Sequence, residues 1–312
     1  MDATIETHGL TRRFGRTLAI DDLSFRVRPG RVTGFVGPNG AGKTTTLHLI
    51  LGLAAADAGT ALVAGRRYRE LSWPLTVVGA LLNAGSIHPG RTARDHLLWL
   101  AQSNRIAVGR VDEVLRLVGL SSAAGRPTRG FSLGMRQRLG LAAALLGDPP
   151  VLILDEPGNG LDPEGIQWLR ALLRSLADEG RTVFVSSHLM SELEGTADHV
   201  IAIGHGRLLA DASVDELIAS AADFRTELRT PDASGVMALL AADGAIVSAT
   251  GRDTVIVEGL ATGRIVELVS RAGMTLEALT QHGSSLEDAY FRLTRGTLEH
   301  DSARLGDLET RS

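Results

Sequence analysis

The chain contains no cysteine. Disulfides, thiolate catalysis and cysteine-based zinc sites are thereby excluded, and the composition suits a reducing cytoplasm. No apolar run approaches the ~18 residues that a membrane-spanning helix requires. The strongest candidate, Leu139-Gly140-Leu141-Ala142-Ala143-Ala144-Leu145-Leu146, is far too short. If the protein works at a membrane, another chain is expected to cross it. Met1 to Leu10 carries Asp2 and Glu6 and lacks a basic start followed by an apolar stretch, so no signal peptide is expected. A marked excess of charge is missing too. A net charge of −4 and a pI of about 6.1 give no support for a nucleic-acid partner. What remains is 312 residues, 44% of them apolar, enough for one large domain and a small one.

Lysine is nearly absent: of 32 basic residues only Lys43 is a lysine. It stands in Gly37-Pro38-Asn39-Gly40-Ala41-Gly42-Lys43-Thr44-Thr45, which meets the phosphate-binding pattern G-x-x-x-x-G-K-[ST] at every fixed position. Lysine is a compact charge on a flexible stem and arginine a planar fork. A loop wrapped around a triphosphate has room for the first and little for the second. Val32 to Val36 reads as a strand feeding this loop, and Thr46 to Leu51 as a helix leaving it. That order aims backbone N–H groups and a helix N-terminus at an anion.

A second element is Val151-Leu152-Ile153-Leu154-Asp155-Glu156. A continuous apolar run is the mark of a strand buried on both faces, and its two terminal acids reach the sheet edge where ligands bind in α/β folds. Asp155 is suited to hold Mg²⁺ through water, with Thr44 giving its hydroxyl to the same ion. Glu156 is suited to polarise an attacking water. Leu23 to Val27, Val183 to Ser186 and His199 to Ile203 read as further strands, and Thr92 to Ala101 and Arg110 to Val118 as helices. Alternating strands and helices argue a mainly parallel α/β sheet.

The third element, Phe131-Ser132-Leu133-Gly134-Met135, lies shortly before the acid-ended strand. Here the chain resembles the ATP-binding subunits of ATP-binding-cassette (ABC) transporters, whose signature L-S-G-G-Q it carries in variant form. Ser132 and Gly134 match, whereas Leu133 and Met135 depart from it. Ser132 is placed to cap a helix starting near Gly134 and to present N–H groups to an anion. Other matches follow the family's order. Asp162 in Asn159-Gly160-Leu161-Asp162 resembles the acidic position of the D-loop. His188 resembles the switch histidine that senses the γ-phosphate, and Phe14 the aromatic that stacks on adenine. Asn83 stands where the family usually has glutamine; it offers a carbonyl oxygen to Mg²⁺ on a stem one carbon shorter.

The resemblance covers residues 4 to 217 and implies an ABC cassette of the P-loop NTPase fold: a mainly parallel core sheet, an antiparallel β subdomain and a helical signature subdomain. It implies an ATPase, with ATP and Mg²⁺ as ligands and Lys43, Glu156 and His188 as the catalytic set. It further implies a head-to-tail homodimer, or a pair with a paralogous ATPase subunit. Each ATP would lie between one copy's phosphate loop and Ser132 and Gly134 of the other. A separate membrane permease would dock near residues 80 to 130, placing the subunit at the inner face of the cell membrane. The chain is similar to the drug and peptide-antibiotic export ATPases, whose permease is a separate chain. The alternatives are a nucleotide-gated regulatory module with little turnover, a chromosome-structure ATPase, disfavoured because no heptads separate Lys43 from Asp155, and a two-cassette ribosome-associated protein.

The expected division is a nucleotide-binding domain over 1–220, a small α+β domain over 221–295 and a disordered tail over 296–312. The middle part reads β-α-β-β-α-β, the order of a ferredoxin-like module: strand 224–229, helix 233–240, paired strands 245–248 and 254–258, helix 264–271 and strand 275–279. Ser285-Leu286-Glu287-Asp288-Ala289-Tyr290-Phe291 resembles the ending of exporter ATPases whose permease is a separate chain.

Overall fold

The computed structural model describes residues 3–85, 87–220, 225–282, 286–287 and 290. Two compact units divide the chain after Ser213, at the junction of a strand and a helix, a few residues before the expected boundary at 220. The expected tail lies outside the described residues, as does most of the segment 285–291.

In the first unit, β1 (Ile5–Phe14) and β2 (Thr17–Val27) form an antiparallel hairpin. Alternate residues of β2 such as Leu23, Phe25 and Val27 are buried, as the period-2 pattern requires. β3 (Arg31–Val36) enters the phosphate loop and α1 (Lys43–Ile50) leaves it. β4 (Ala58–Val63) returns to pair with β1, completing a three-stranded sheet in the order β2-β1-β4. β5 (Val78–Leu81) was not legible in the sequence. Its Gly79 interrupts the apolar pattern, and a Cβ there would stand 2.0 Å from the Ala144 carbonyl oxygen. The helix passing over the strand therefore demands the glycine that conceals it.

That helix is α4 (Leu133–Leu145), preceded by α2 (Ala93–Ser103) and α3 (Gly109–Leu117). The chain continues through β6 (Val151–Asp155), α5 (Pro163–Asp178), β7 (Thr182–Ser187), the single turn α6 (Met190–Leu193), β8 (His199–Gly204) and β9 (Arg207–Ser213). These strands build a six-stranded sheet in the order β5-β6-β7-β3-β8-β9. It is parallel throughout except for β8 against β9. Among the described residues no helix is long and apolar enough to cross a membrane; the Leu139–Leu146 run is mostly buried in α4 and its end.

The core lies between the two sheets. Phe25 of β2, Phe35 of β3 and Phe184 of β7 meet with ring centroids 5.0 to 5.7 Å apart, among buried Ile5, Leu47, Ile153 and Ile201. This trio joins the antiparallel sheet to the parallel one, and aromatic pairs at such spacing add to the burial of their area.

The second unit begins with α7 (Val214–Ser220) and continues β10 (Arg225–Arg229), α8 (Ala233–Ala242), β11 (Ile246–Ala249), β12 (Thr254–Glu258), α9 (Thr262–Arg271) and β13 (Ala278–His282). Its antiparallel sheet runs β11-β12-β10-β13, and Leu228, Val236, Leu240, Val255, Val257, Ile265 and Val269 form its core. The last strand starts at Ala278 rather than at Thr275 as expected. The Thr275 carbonyl is taken by the Thr230 hydroxyl at 2.8 Å, and pairing with β10 begins only at Ala278 opposite Arg229.

Replacing Phe184 by alanine removes the ring shared by both other aromatics. It should cost the first unit about 3–5 kcal/mol, read as a lower denaturation midpoint at unchanged slope; a loss below about 1 kcal/mol would show that these rings do not join the sheets.

Candidate functional site

Parallel register brings the sequence-selected residues to one edge. Val36 pairs with Ser187 across β3 and β7, and Asp155 with Ser186 across β6 and β7. The segments after β3, β6 and β7, which carry residues 37–42, 156–162 and 188, therefore leave the sheet side by side. Ligands bind at this carboxyl edge in open α/β sheets.

The phosphate loop turns on Gly42, at φ 105°, where a Cβ would stand 2.5 Å from Ile20 Cδ1 and 2.8 Å from the Ala19 carbonyl oxygen. Only glycine fits there. The turn starts α1 at Lys43, so the first N–H groups of that helix belong to the loop. Lys43 is buried, and its Nζ donates to the carbonyls of Gly37 at 2.6 Å and Pro38 at 3.3 Å. The ammonium thus bridges the loop that a phosphate would fill. Burial depresses its pKa below the ordinary lysine value, and the nearby Glu156 and Asp155 oppose that shift. Gly40 adopts φ 82°, and Pro38 and Asn39 are exposed at the loop's crest.

Both oxygens of Asp155 are engaged. Thr44 Oγ1 donates to Oδ2 at 2.8 Å and Ser186 Oγ donates to Oδ1. Glu156 follows at φ 47°, a left-handed conformation costing about 1–3 kcal/mol in a non-glycine residue. Three bonds hold it there. Its N–H lies 3.0 Å from Ser186 Oγ and 3.2 Å from the Ser186 carbonyl, and its own carbonyl accepts from Gln137 Nε2 at 3.0 Å. The Glu156 carboxylate then meets His188 Nδ1 at 3.0 Å and accepts from Asn159 Nδ2 at 2.5 Å. A carboxylate so held, next to an imidazole, can take a proton from water and steady the group that follows.

Ser186, Gln137 and Asn159 were not singled out as site residues. Ser186 reads only as the end of the strand Val183–Ser186, and Asn159 as the start of the segment that holds Asp162. The available signal for Gln137 is helical spacing: it shares a face with Leu133 and Leu141, four residues either way, and it is buried.

The remaining candidates stand apart from this cluster. Ser132 caps α4, accepting from Met135 N at 3.2 Å, and the helix starts at Leu133. A Cβ on Gly134 would stand 2.9 Å from the Gly160 carbonyl oxygen, and one on Gly160 (φ 78°) 2.4 Å from Leu133. The signature helix thus rests directly on the turn after Glu156. Asp162 caps α5, its Oδ1 accepting from Gly165 N at 2.9 Å. Asn83 Oδ1 accepts from Gly85 N at 2.7 Å in a local turn. Phe14, 52% exposed at the tip of the first hairpin, has the Arg12 guanidinium 4.9 Å from its ring centroid.

A buried ammonium with a lowered pKa weakens the fold at neutral pH, and that cost fades as pH rises through the window below 10.5, where the unfolded chain alone stays protonated. Any stability advantage of Lys43→Met over the native nucleotide-free chain should therefore shrink between pH 7 and pH 10. Denaturant unfolding at both values checks this, and a gap that stays constant or widens would contradict the burial of charge at Lys43.

A model of the ABC transporter family matches residues 20–159, and a domain of unknown function matches residues 225–287. The bacitracin transport ATP-binding protein BcrA of Bacillus licheniformis is 42% identical over 220 residues, spanning 70% of this chain and 72% of that protein. The protein of the same name from Enterococcus faecalis is 33% identical over 302 residues, spanning 95% of this chain and 98% of its own. A solved ATP-binding subunit of an ABC transporter superposes with a TM-score of 0.64 at 25% identity, over 69% of this chain and 92% of that one.

Proposed function

This chain belongs to the ABC transporter family as an ATP-binding subunit, and from that premise we propose that it hydrolyses ATP to power export through a separate membrane permease. Residues 1–220 would form the nucleotide-binding domain. The observation that carries the reading is the junction of Thr44, Asp155, Glu156 and His188 at one sheet edge, beside the bridging ammonium of Lys43. The names of the two bacitracin transport relatives support export of a peptide antibiotic or a compound like it.

In this reading the backbone N–H groups of Asn39 to Thr45 wrap the phosphates, and Lys43 exchanges its two carbonyl partners for phosphate oxygens. The donors suit Mg²⁺: a hydroxyl and a carboxylate already 2.8 Å apart, both hard oxygens, on an ion that keeps several waters and takes few protein ligands. Thr44 and Asp155 would hold it, and the ion would offset the negative charge of the phosphate oxygens. Asn83 would join only if its turn with Gly85 opened. Glu156 orients and deprotonates the attacking water, and His188 holds that carboxylate and senses the terminal phosphate. Phe14 offers its exposed face to adenine, backed by Arg12.

The opposite side of the nucleotide comes from a second chain, either an identical copy or a paralogue. Ser132, 89 residues beyond Lys43, caps another helix, and it and the amides near Gly134 stand at that helix's N-terminus, where Ser132 is exposed. With Asp162 placing the turn beside them, they would close over the γ-phosphate of the partner's ATP. Closure and release would then drive a permease at the inner face of the membrane.

Glu156→Gln keeps Lys43, Thr44 and Asp155. It should bind ATP with affinity near native while turnover falls on the order of 10²–10⁴-fold, and it should elute as a dimer with ATP and Mg²⁺. Native turnover in this variant would remove Glu156 from the reaction.

A further inference from the structure

The segment carrying His188 is tied down by side chains that have been given no role so far. Ser187 is buried; its Oγ accepts from Leu189 N at 3.0 Å and donates to Glu192 Oε2 at 2.7 Å, with the Leu189 carbonyl at 3.0 Å as its alternative acceptor. The other carboxylate oxygen of Glu192 lies 3.5 Å from where a Cβ on Gly158 would stand. One half-buried acid thus spans from the segment after β7 to the segment after β6, the two that carry His188 and Glu156. Among the described residues Glu192 makes no ion pair with an arginine or with Lys43, so its charge-assisted bond to Ser187 is its main polar engagement.

Helix α5 braces the far side of the same segment. Arg170 Nη2 donates to the Ser191 carbonyl at 2.8 Å and Arg174 Nε to the Gly195 carbonyl at 3.1 Å. These elements meet around a cavity of about 30 Å³ lined by Gly158, Arg170, Ser187, Glu192 and Thr196. The arginines hold backbone from residue 191 onward. Between them and His188, among the described residues, the side-chain ties are those of the Ser187 hydroxyl to the Leu189 backbone and to Glu192, and Glu192 alone links it onward to α6, a single turn with no side-chain cap.

We infer that Glu192 is a positioning residue for the Glu156–His188 pair: acting through Ser187, it fixes the segment that keeps His188 Nδ1 within 3.0 Å of Glu156. The inference rests on the roles proposed above for Glu156 and His188. Misplacing a reacting group by an ångström costs up to about 10²-fold in rate, and Glu192 touches none of the residues proposed to wrap the phosphates. Glu192 therefore governs turnover rather than ATP affinity.

The test uses the full chain with Glu192→Ala, Glu192→Gln, Ser187→Ala and the double Ser187→Ala/Glu192→Ala variant. Glu192→Ala is expected to lower kcat about tenfold while KM for ATP stays within about twofold. Glu192→Gln, which keeps an oxygen for the Ser187 hydroxyl, should recover most of that loss, and the double variant should lose no more than the worse single one. A native kcat in Glu192→Ala, a loss that appears in KM, no recovery by glutamine, or multiplied losses in the double variant would each overturn the role. A second readout needs no turnover. The imidazole ¹⁵N signal of His188 Nδ1 in the nucleotide-free chain should move in Glu192→Ala as it does in Glu156→Gln, and return in Glu192→Gln. If the native chain fails to hydrolyse ATP but this signal moves as stated, the proposed function falls and the positioning role stands. An unmoved signal overturns the positioning role whatever the turnover.

Discussion

The register of three parallel strands is the constraint on which the rest depends. Because Val36 sits opposite Ser187 and Asp155 opposite Ser186, β3, β6 and β7 end in one row. A slip of one residue in either ladder would turn Asp155 or Ser186 to the other face of the sheet. The hydroxyl that supports both Asp155 and the backbone of Glu156 would then be lost. Burial fixes the register: Leu152, Ile153 and Leu154 of β6 and Val183, Phe184 and Val185 of β7 are all enclosed, so a slip would misplace every one of them. The aromatic trio that joins the two sheets thus also holds the edge on which the acids stand.

That edge is loaded before any nucleotide arrives. Lys43 is buried against carbonyl groups, Glu156 is held in a strained conformation, and the Asp155 oxygens are capped by two hydroxyls. An anion would relieve the ammonium, and a cation would replace the hydroxyl proton on Asp155. Such preorganisation favours charge that develops later over charge present now. The signature helix takes part through Gln137, which grips the Glu156 carbonyl, and through Leu133, which sits on the bare Cα of Gly160. The helix proposed to face a second chain is thereby mechanically joined to the residue proposed to activate water.

Much of this was legible in the sequence because the informative residues are local. The lone lysine and its glycines announce a loop whose spacing is set by phosphate size. Four apolar residues before two acids announce a buried strand with a charged end, and Ser132 announced its helix cap three residues ahead of the N–H it binds. What stayed hidden depends on contacts distant in sequence. Ser186 reads as one of two serines until β7 is laid beside β6. Gly79 looks like a break until α4 is seen passing over it. Asp162 reads as a D-loop acid, and only the fold shows that one of its oxygens also caps α5 on Gly165 N. The start of β13 depends on Arg229, far back in the chain, and no local pattern carries that.

The joining of two copies through a nucleotide is tested most directly by cross-linking, since the native chain offers no thiol to interfere. Chains carrying Asn39→Cys at the crest of the phosphate loop are mixed with chains carrying Leu133→Cys at the start of the signature helix, both in the Glu156→Gln background. A short thiol-specific linker should yield a covalent dimer from the mixture only when ATP and Mg²⁺ are present. No dimer product with nucleotide bound, or a product confined to one chain carrying both cysteines, would contradict a site shared between copies.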